Sequence, residues 1–184
     1  MSRMPPVGRR SRCMTTTSPR NAQKGATLTE LMILAPILVT TMLGSIDLGR
    51  LVFTRQVLTD LSREAANLVS RGATAQEALT ATLLANQAFD LDSNGAIIIS
   101  RVQRRSPTEA RAWVVEQEIR GSAGGYSSHI GQLDGAADIP KMTTIEPGVT
   151  FTAVEIFIQF EPRFAFASLG LDLYPDVIYD AAFF

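Results

Sequence analysis

One long apolar run near the N-terminus limits how the rest of this chain can fold. Residues 26–46 hold a single charged side chain, Glu30, in 21 residues. As an α-helix this run would be ~31 Å long at the standard rise, about the thickness of a bilayer's hydrocarbon core. A buried core helix would carry a polar face, and this run has none. The sequence therefore predicts a transmembrane helix over 26–46.

A cleaved secretory signal is the main alternative for the same run. Such a signal has a shorter apolar region that ends at a small-residue cleavage site. Here the run continues through Thr40 and Thr41 to Asp47 and an amphipathic continuation. A permanent single-pass anchor fits this pattern better.

The charges are divided unevenly around the run. The chain has a net charge of -1, but residues 1–24 carry six bases and no acid, which leaves -7 for residues 25–184. A disordered basic arm or a nucleic-acid-binding tail would also be basic, but no aromatic residue is interleaved with the arginines for base stacking. The positive-inside rule predicts that residues 1–25 are a cytoplasmic leader and that residues 47–184 form an exported domain. Cys13, the one cysteine, lies in the leader.

The junction between leader and span has a specific pattern. Gly25 follows Lys24, and four residues separate it from Glu30, as in the processing site of a type IV prepilin. Glycine lets a protease approach the backbone, and cleavage there would make Ala26 the new N-terminus. A carboxylate in apolar surroundings needs a partner, and the freed α-amine of a neighbouring subunit is suitable. Glu30 would then set registry during assembly, or it would simply snorkel at the edge of an ordinary anchor.

Residues 25–65 resemble the TadE-like family of tight-adherence (Tad/Flp) pilus systems. Besides the glycine and glutamate, the positions that carry this resemblance are Pro36, Asp47, Gly49, Arg50, Arg55 and Gln56. The resemblance implies a minor pseudopilin that a prepilin peptidase processes and that pilus biogenesis requires. Its implied partners are the inner membrane, the peptidase, other pilins and pilus assembly components. About 40 of the 184 residues are covered.

Past the span, apolar residues at helical spacing predict that one helix continues from Thr27 to Arg71, with Gly72 as its stop. Thr74 and Glu77 form a capping-box pattern for a second helix that ends near Phe89. Four further segments are predicted to be strands, at 96–102, 111–116, 151–158 and 177–181, and the third of them alternates best. We expect a pilin-like α+β domain with an antiparallel sheet of about four strands packed on the exported half of the long helix.

A glycine-rich stretch, 121–148, separates the second and third predicted strands. It is either a solvated, mobile connection between the strands or a contact surface for neighbouring subunits. Asp90, Asp92 and Asn94 match the first half of a calcium loop, but Arg101 stands where the bidentate glutamate belongs. A polar turn explains these residues, with weak calcium binding as the alternative.

The sequence offers little else for catalysis. His129 has no cysteine or carboxylate at ligand spacing, and nucleophile, zinc-protease and phosphate-loop motifs are absent. We expect no enzyme, no cofactor or metal, no nucleic-acid partner and no small-molecule substrate. The predicted function is structural, helping to initiate or cap a Tad/Flp-type pilus after cleavage at Gly25. The alternative is an unprocessed, membrane-anchored periplasmic binding or scaffold module.

Overall fold

The computed structural model describes residues 20–85, 91–106, 108, 111–122, 125–139, 146–164 and 174–184, with side chains of the first helix described from Leu28 onward. The helices are α1 (Arg20–Ser70), α2 (Ala75–Ala85) and α3 (Leu91–Asn94). The strands are β1 (Gly95–Gln103), β2 (Ala112–Gly121), β3 (Ala136–Ala137), β4 (Thr150–Gln159) and β5 (Val177–Phe183). The described chain is α+β, as the sequence predicts.

The end of α1 and the start of α2 confirm the predicted signals. Gly72 has a φ of 101°, and its N–H donates to the Val69 carbonyl at 3.0 Å, which is the usual glycine termination of a helix. At the start of α2, the Glu77 N–H donates to Thr74 Oγ1 at 3.2 Å, and the Thr74 N–H donates to Glu77 Oε2 at 2.9 Å. The Glu77 carboxylate accepts hydrogen bonds from the Thr74 N–H and from the Thr74 hydroxyl, and these two bonds, the first more than the second, lower the pKa of Glu77.

Three details differ from the prediction. The helix α1 begins at Arg20 rather than Thr27, because residues 20–24 contain neither proline nor glycine and extend the helix backwards. Residues Leu91–Asn94, predicted as a turn, form the one-turn helix α3. The sheet gains a fifth strand, β3, which is two residues long and lies within the glycine-rich stretch. The predicted end of the second helix at Phe89 lies outside the described residues.

The strands form one antiparallel sheet in the order β3-β2-β1-β4-β5. β1 lies at its centre, where Ile99 stands opposite Glu118 of β2 and Val154 of β4. Because neighbouring strands flank β1 and both sheet faces are covered there, its residues 95–100 are all buried. This explains the near-continuous apolar run of β1, which would otherwise alternate.

The chain divides into two units, residues 1–42 and 43–184. Two apolar clusters lie within the second unit, on opposite faces of the sheet. The larger cluster joins α1 residues such as Leu58 and Leu61 to β1 and β4 residues such as Ile97 and Ile156. The sheet therefore packs on the part of α1 beyond the apolar run, as predicted. The smaller cluster consists of Val102, Ala112, Val114, Ile130 and Ala153. Within the glycine-rich stretch, Ile130, Ala137 and Ile139 thus pack in or against this cluster on the sheet.

Candidate membrane-anchoring and assembly site

One helix in the described part of the chain is long and apolar enough to cross a membrane. It is α1 from Leu28 onward, and 6% of its most apolar stretch is buried. Leu31, Met32 and Met42 are 62%, 70% and 68% exposed. The core helix of a soluble protein would be mostly buried, so this exposure fits a helix whose apolar side chains need lipid. The helix could therefore serve as a single-pass anchor.

The predicted processing site lies within the backbone range of α1. Gly25 and Ala26 are five and six residues beyond its first residue, Arg20, and their side-chain environment falls outside what the structure describes. Glu30 is exposed on the same helix. The predicted site residues of this junction are therefore placed on one continuous helix, with the carboxylate about one turn after Ala26.

Pro36 lies inside the same helix. A proline has no N–H, so it cannot donate to the carbonyl of Met32 four residues earlier. The Thr40 hydroxyl donates to the Pro36 carbonyl at 2.6 Å, and the Thr41 hydroxyl donates to the Ile37 carbonyl at 2.8 Å. Hydroxyls that bond back to the helix in this way need no water, which suits two threonines within an apolar span.

Asp47 is the fixed point where α1 enters the second unit. Its side chain is fully buried. Its Oδ1 accepts the Arg163 N–H at 3.0 Å, and its Oδ2 accepts the Phe164 N–H at 2.8 Å. Two backbone donors on one carboxylate form a strong, directional site, because each bond is charge-assisted. Asp47 thereby holds the segment after β4 against α1.

Arg50 completes this junction from the next turn of α1. Its Nη1 lies 3.5 Å from Asp47 Oδ1 and 3.4 Å from the Glu161 carbonyl oxygen. Its guanidinium carbon also lies 5.7 Å from the centre of the Phe160 ring. We call Asp47, Arg50 and residues 160–164 the helix-to-sheet junction. Two of the positions that carry the family resemblance therefore act together.

The other such positions beyond the span do not join them. Gly49, Arg55 and Gln56 are exposed on α1, and a Cβ added at Gly49 would meet nothing within 4 Å. Among the residues that the structure describes, no packing contact requires a glycine at position 49. These three residues are directed to the surroundings of α1, whereas Asp47 and Arg50 are directed to its own domain.

A second buried carboxylate was missed by the sequence analysis. Glu155 lies between Val154 and Ile156 on β4, on the opposite face of the strand, and it is fully buried. It accepts hydrogen bonds from the Ser128 hydroxyl, from the His129 N–H at 2.9 Å and from the Tyr179 hydroxyl at 3.0 Å. The cover comes from a loop that precedes β4 by more than 20 residues, so strand alternation alone could not reveal it.

Aromatic rings surround this carboxylate. The exposed His129 ring lies 4.5 Å from the Tyr179 ring and 5.4 Å from the Phe157 ring, measured between centroids. Burial first, and then the negative charge of Glu155, raises the pKa of Tyr179 above its ordinary value. These contacts place His129 in a packed aromatic group, where it helps to fix the loop to the sheet.

The structure assembles no metal centre from the residues it describes. Those residues contain no group of three or more histidine, cysteine or acidic side chains suited to a metal ion. Asp92 and Asn94 are exposed in α3, and Asp90 lies outside the described residues. The calcium-loop pattern is therefore placed on a one-turn helix that leads into β1.

These features define a protein with one candidate N-terminal membrane anchor and an α+β domain that a buried carboxylate ties to the same helix. Residues 25–67 match the family model described as TadE-like protein, which confirms the resemblance. No curated protein and no solved structure matches the chain. The match covers most of α1 and ends before the sheet begins. The TadE-like segment indicates a protein associated with Tad pilus components in a membrane.

The stability that the helix-to-sheet junction gives the domain should depend on the charge of Asp47. In Asp47→Asn the amide keeps one acceptor but turns an N–H toward the second backbone donor, so a buried hydrogen bond is lost. We expect the free energy of unfolding of the fragment 43–184 to fall by about 1–3 kcal/mol in urea titrations. Asp60→Asn, on the exposed side of the same helix, serves as the matched control. Equal stability of the two variants would contradict the assignment.

Tyr179 should make the domain less stable at alkaline pH. Its phenol stays protonated in the folded state above the value of ~10 at which a tyrosine of the unfolded chain ionises. The stabilisation that the protonated Tyr179 phenol gives the folded state is therefore complete below pH ~10, and it is lost as the pH rises further. Urea titrations of fragment 43–184 at neutral and alkaline pH should show this fall, and Tyr179→Phe should reduce it. Tyr126→Phe is the control, because it leaves the hydrogen bond between Tyr179 and Glu155 in place and should show the same fall in stability at alkaline pH as the wild type.

Proposed function

We propose that this chain is a minor pseudopilin, a structural component that helps to initiate or cap a Tad/Flp-type pilus after a prepilin peptidase cleaves it at Gly25. One observation carries the proposal. The segment that matches the TadE-like family begins at residue 25, and the processing pattern of Gly25 and Glu30 lies at the start of the exposed apolar part of α1. A structural role, and no enzymatic one, is proposed.

The proposed location is the bacterial inner membrane. The six bases and no acids of residues 1–24 support a cytoplasmic N-terminus. The α+β domain would then lie in the periplasm, and the processed protein would be available for incorporation into the pilus. The proposed partners are the prepilin peptidase, other pilins and pilus assembly components.

Cleavage requires a local change in α1. A peptide bond inside a helix has its carbonyl and N–H groups engaged in helical hydrogen bonds, and a protease needs access to that backbone. Glycine disfavours a helix by about 1 kcal/mol relative to alanine. Gly25 would therefore both admit the protease and ease the unwinding of the turn that contains the scissile bond. The absence of a side chain at Gly25 thus has two physical roles.

Processing can be tested by mass. In cells with an active prepilin peptidase, the membrane-extracted chain should begin at Ala26, because cleavage removes the basic leader. Gly25→Ala should leave the full-length precursor, since the added methyl group blocks access and strengthens the local helix. Intact-mass spectrometry distinguishes the two forms. Gly49→Ala is the matched control, because it adds a methyl group on the same helix in open space. Full-length wild-type protein in such cells would favour the unprocessed scaffold module.

Glu30 provides the second test, because it is the charge within the proposed span. Once the leader is removed, the α-amine of a neighbouring subunit can pair with this carboxylate in the low-dielectric interior of the membrane. The unprocessed-anchor alternative needs no such pair, since an exposed carboxylate at the bilayer boundary contributes little.

We therefore expect Glu30→Leu to insert, fold and be cleaved normally but to reduce pilus number and crosslinking between subunits. Insertion should become easier because a charge leaves the apolar span. Thr29→Leu is the matched control, since it raises hydrophobicity at the neighbouring position and keeps the carboxylate. The measurement is pilus counting and crosslinking at equal protein levels. Wild-type piliation in Glu30→Leu would refute the assembly role of this residue.

A further inference from the structure

A cavity of about 220 Å³ lies at the helix-to-sheet junction, where α1 passes the ends of α3 and β4. All of its described lining belongs to the second unit, residues 43–184. We call this space the junction cavity. Five of the lining residues have polar side chains, and these are Arg50, Thr54, Asn94, Gln159 and Glu161. The hydrogen bonds of the helix-to-sheet junction use only part of what these side chains can bind.

Thr54 is the most deeply buried of these five residues, at 8% exposure. Five other threonines of α1 and α2 donate their hydroxyl to the carbonyl four residues earlier, and these are Thr40, Thr41, Thr59, Thr80 and Thr82. The Thr54 hydroxyl has no hydrogen-bond partner among the described residues. Every fully buried side-chain oxygen or nitrogen that the structure describes does have a partner. The Thr54 hydroxyl must therefore reach accessible space, and the space that Thr54 lines is the junction cavity.

Arg50 also keeps hydrogen-bond donors for a ligand. Its side chain is 38% exposed, and its hydrogen bonds to Asp47 Oδ1 and to the Glu161 carbonyl both use Nη1. A guanidinium carries further N–H groups on Nε and Nη2, and within the described part of the chain these have no acceptor. None of the ion pairs between described residues joins the Glu161 carboxylate to Arg50. A ligand in the junction cavity would therefore meet both donors and acceptors.

The charges around the cavity favour an uncharged ligand. An anion would meet the carboxylates of Asp47 and Glu161 against the single guanidinium of Arg50, which lies 3.5 Å from Asp47. A cation would be repelled by that guanidinium. The amides of Asn94 and Gln159 offer donors and acceptors without charge. Because a hydroxyl group both donates and accepts, an uncharged molecule with several hydroxyls can satisfy all of these side chains.

The size and the apolar side of the cavity fit one ring. Ile158 and Phe160, both buried, supply apolar lining against which the C–H groups of a ring can pack. Pockets for drug-sized ligands measure ~300–1,000 Å³, so a cavity of about 220 Å³ suits a smaller molecule. We propose that the junction cavity binds a single uncharged sugar ring, which is either a free monosaccharide or the end of a glycan chain. The sugar is bound and not converted, and this inference is independent of cleavage at Gly25 and of the role in a pilus.

The test is a titration of the full chain in micelles of a detergent that has no sugar headgroup. The probes are D-glucose and N-acetyl-D-glucosamine, with sodium acetate as an anion and glycine as a zwitterion. We expect at least one sugar to bind with a Kd on the order of 1–10 mM in saturation-transfer NMR, and acetate and glycine not to bind in this range. Preference for acetate or glycine over both sugars would overturn the ligand class, and binding of none of the four probes would overturn the site.

Thr54→Val tests whether the sugar binds in the junction cavity. The variant removes the hydroxyl and keeps a β-branched side chain, so sugar binding should weaken about 3- to 10-fold. Because this hydroxyl has no partner among the described residues, the melting temperature should not fall, which separates lost binding from lost folding. Thr80→Val is the matched control, since Thr80 is exposed on α2 and is not in the described lining of the cavity. Equal sugar binding by Thr54→Val and the wild type would contradict the proposal.

A second variant keeps the test decisive if Thr54→Val folds poorly. Gln159→Leu replaces an exposed side chain at the rim of the cavity, and it should also weaken sugar binding. Unchanged binding in Gln159→Leu, with Thr54→Val unfolded, would count against the site. The trimer of N-acetyl-D-glucosamine then distinguishes the two sources of the ring. Binding at least as tight as that of the monomer supports the end of a glycan chain, and weaker binding supports a free monosaccharide.

Discussion

The buried carboxylate of Asp47 is the constraint on which the arrangement of the α+β domain depends. A charge removed from water is costly unless it is fully hydrogen-bonded, and Asp47 is satisfied by the Arg163 and Phe164 N–H groups. Once Asp47 faces the segment after β4, the rotation of α1 about its axis is fixed. Leu58 and Leu61, about three and four turns further on, then face the sheet and enter its core. The opposite side of the helix is left to the surroundings.

Two other carboxylates of the domain also accept hydrogen bonds from segments that are distant in the chain. Asp180 on β5 accepts the hydroxyls of Thr59 and Ser62 on α1 at 3.2 and 2.6 Å, and Glu155 holds the loop at residues 128–129. Each carboxylate joins two segments that are distant in the chain. Hydrogen bonds to charged groups contribute about 1.5–3 kcal/mol each. Because Cys13 is the one cysteine and precedes the domain, no disulfide can join these segments, and hydrogen bonds to acidic side chains join them instead.

Local signals account for what the sequence predicts correctly, and long-range contacts account for what it misses. Gly72 and the Thr74–Glu77 capping box act over a few residues, so the ends of the helices follow from the sequence. The burial of Glu155 and the hydrogen bonds of Asp47 depend on residues 26 and 116 positions away. Asp47 could be singled out from its resemblance to a family, but its partners could not. The two-residue strand β3 has no periodicity of its own and exists because β2 offers it an edge.

The contrast between Glu30 and Asp47 narrows the ways in which subunits can associate. Both are acids on α1, and between residues 28 and 53 the sequence holds just one further charge, Arg50. Asp47 and Arg50 are engaged with the domain of their own chain, so neither is available to a neighbour without dismantling the helix-to-sheet junction. Glu30 lies exposed on the helix. If the spans of neighbouring subunits associate as proposed, an electrostatic contact between them would use Glu30, and a partner helix would supply the positive group at the height of Glu30. Between residues 28 and 53, Glu30 is thus the charge that the fold of the domain leaves unengaged.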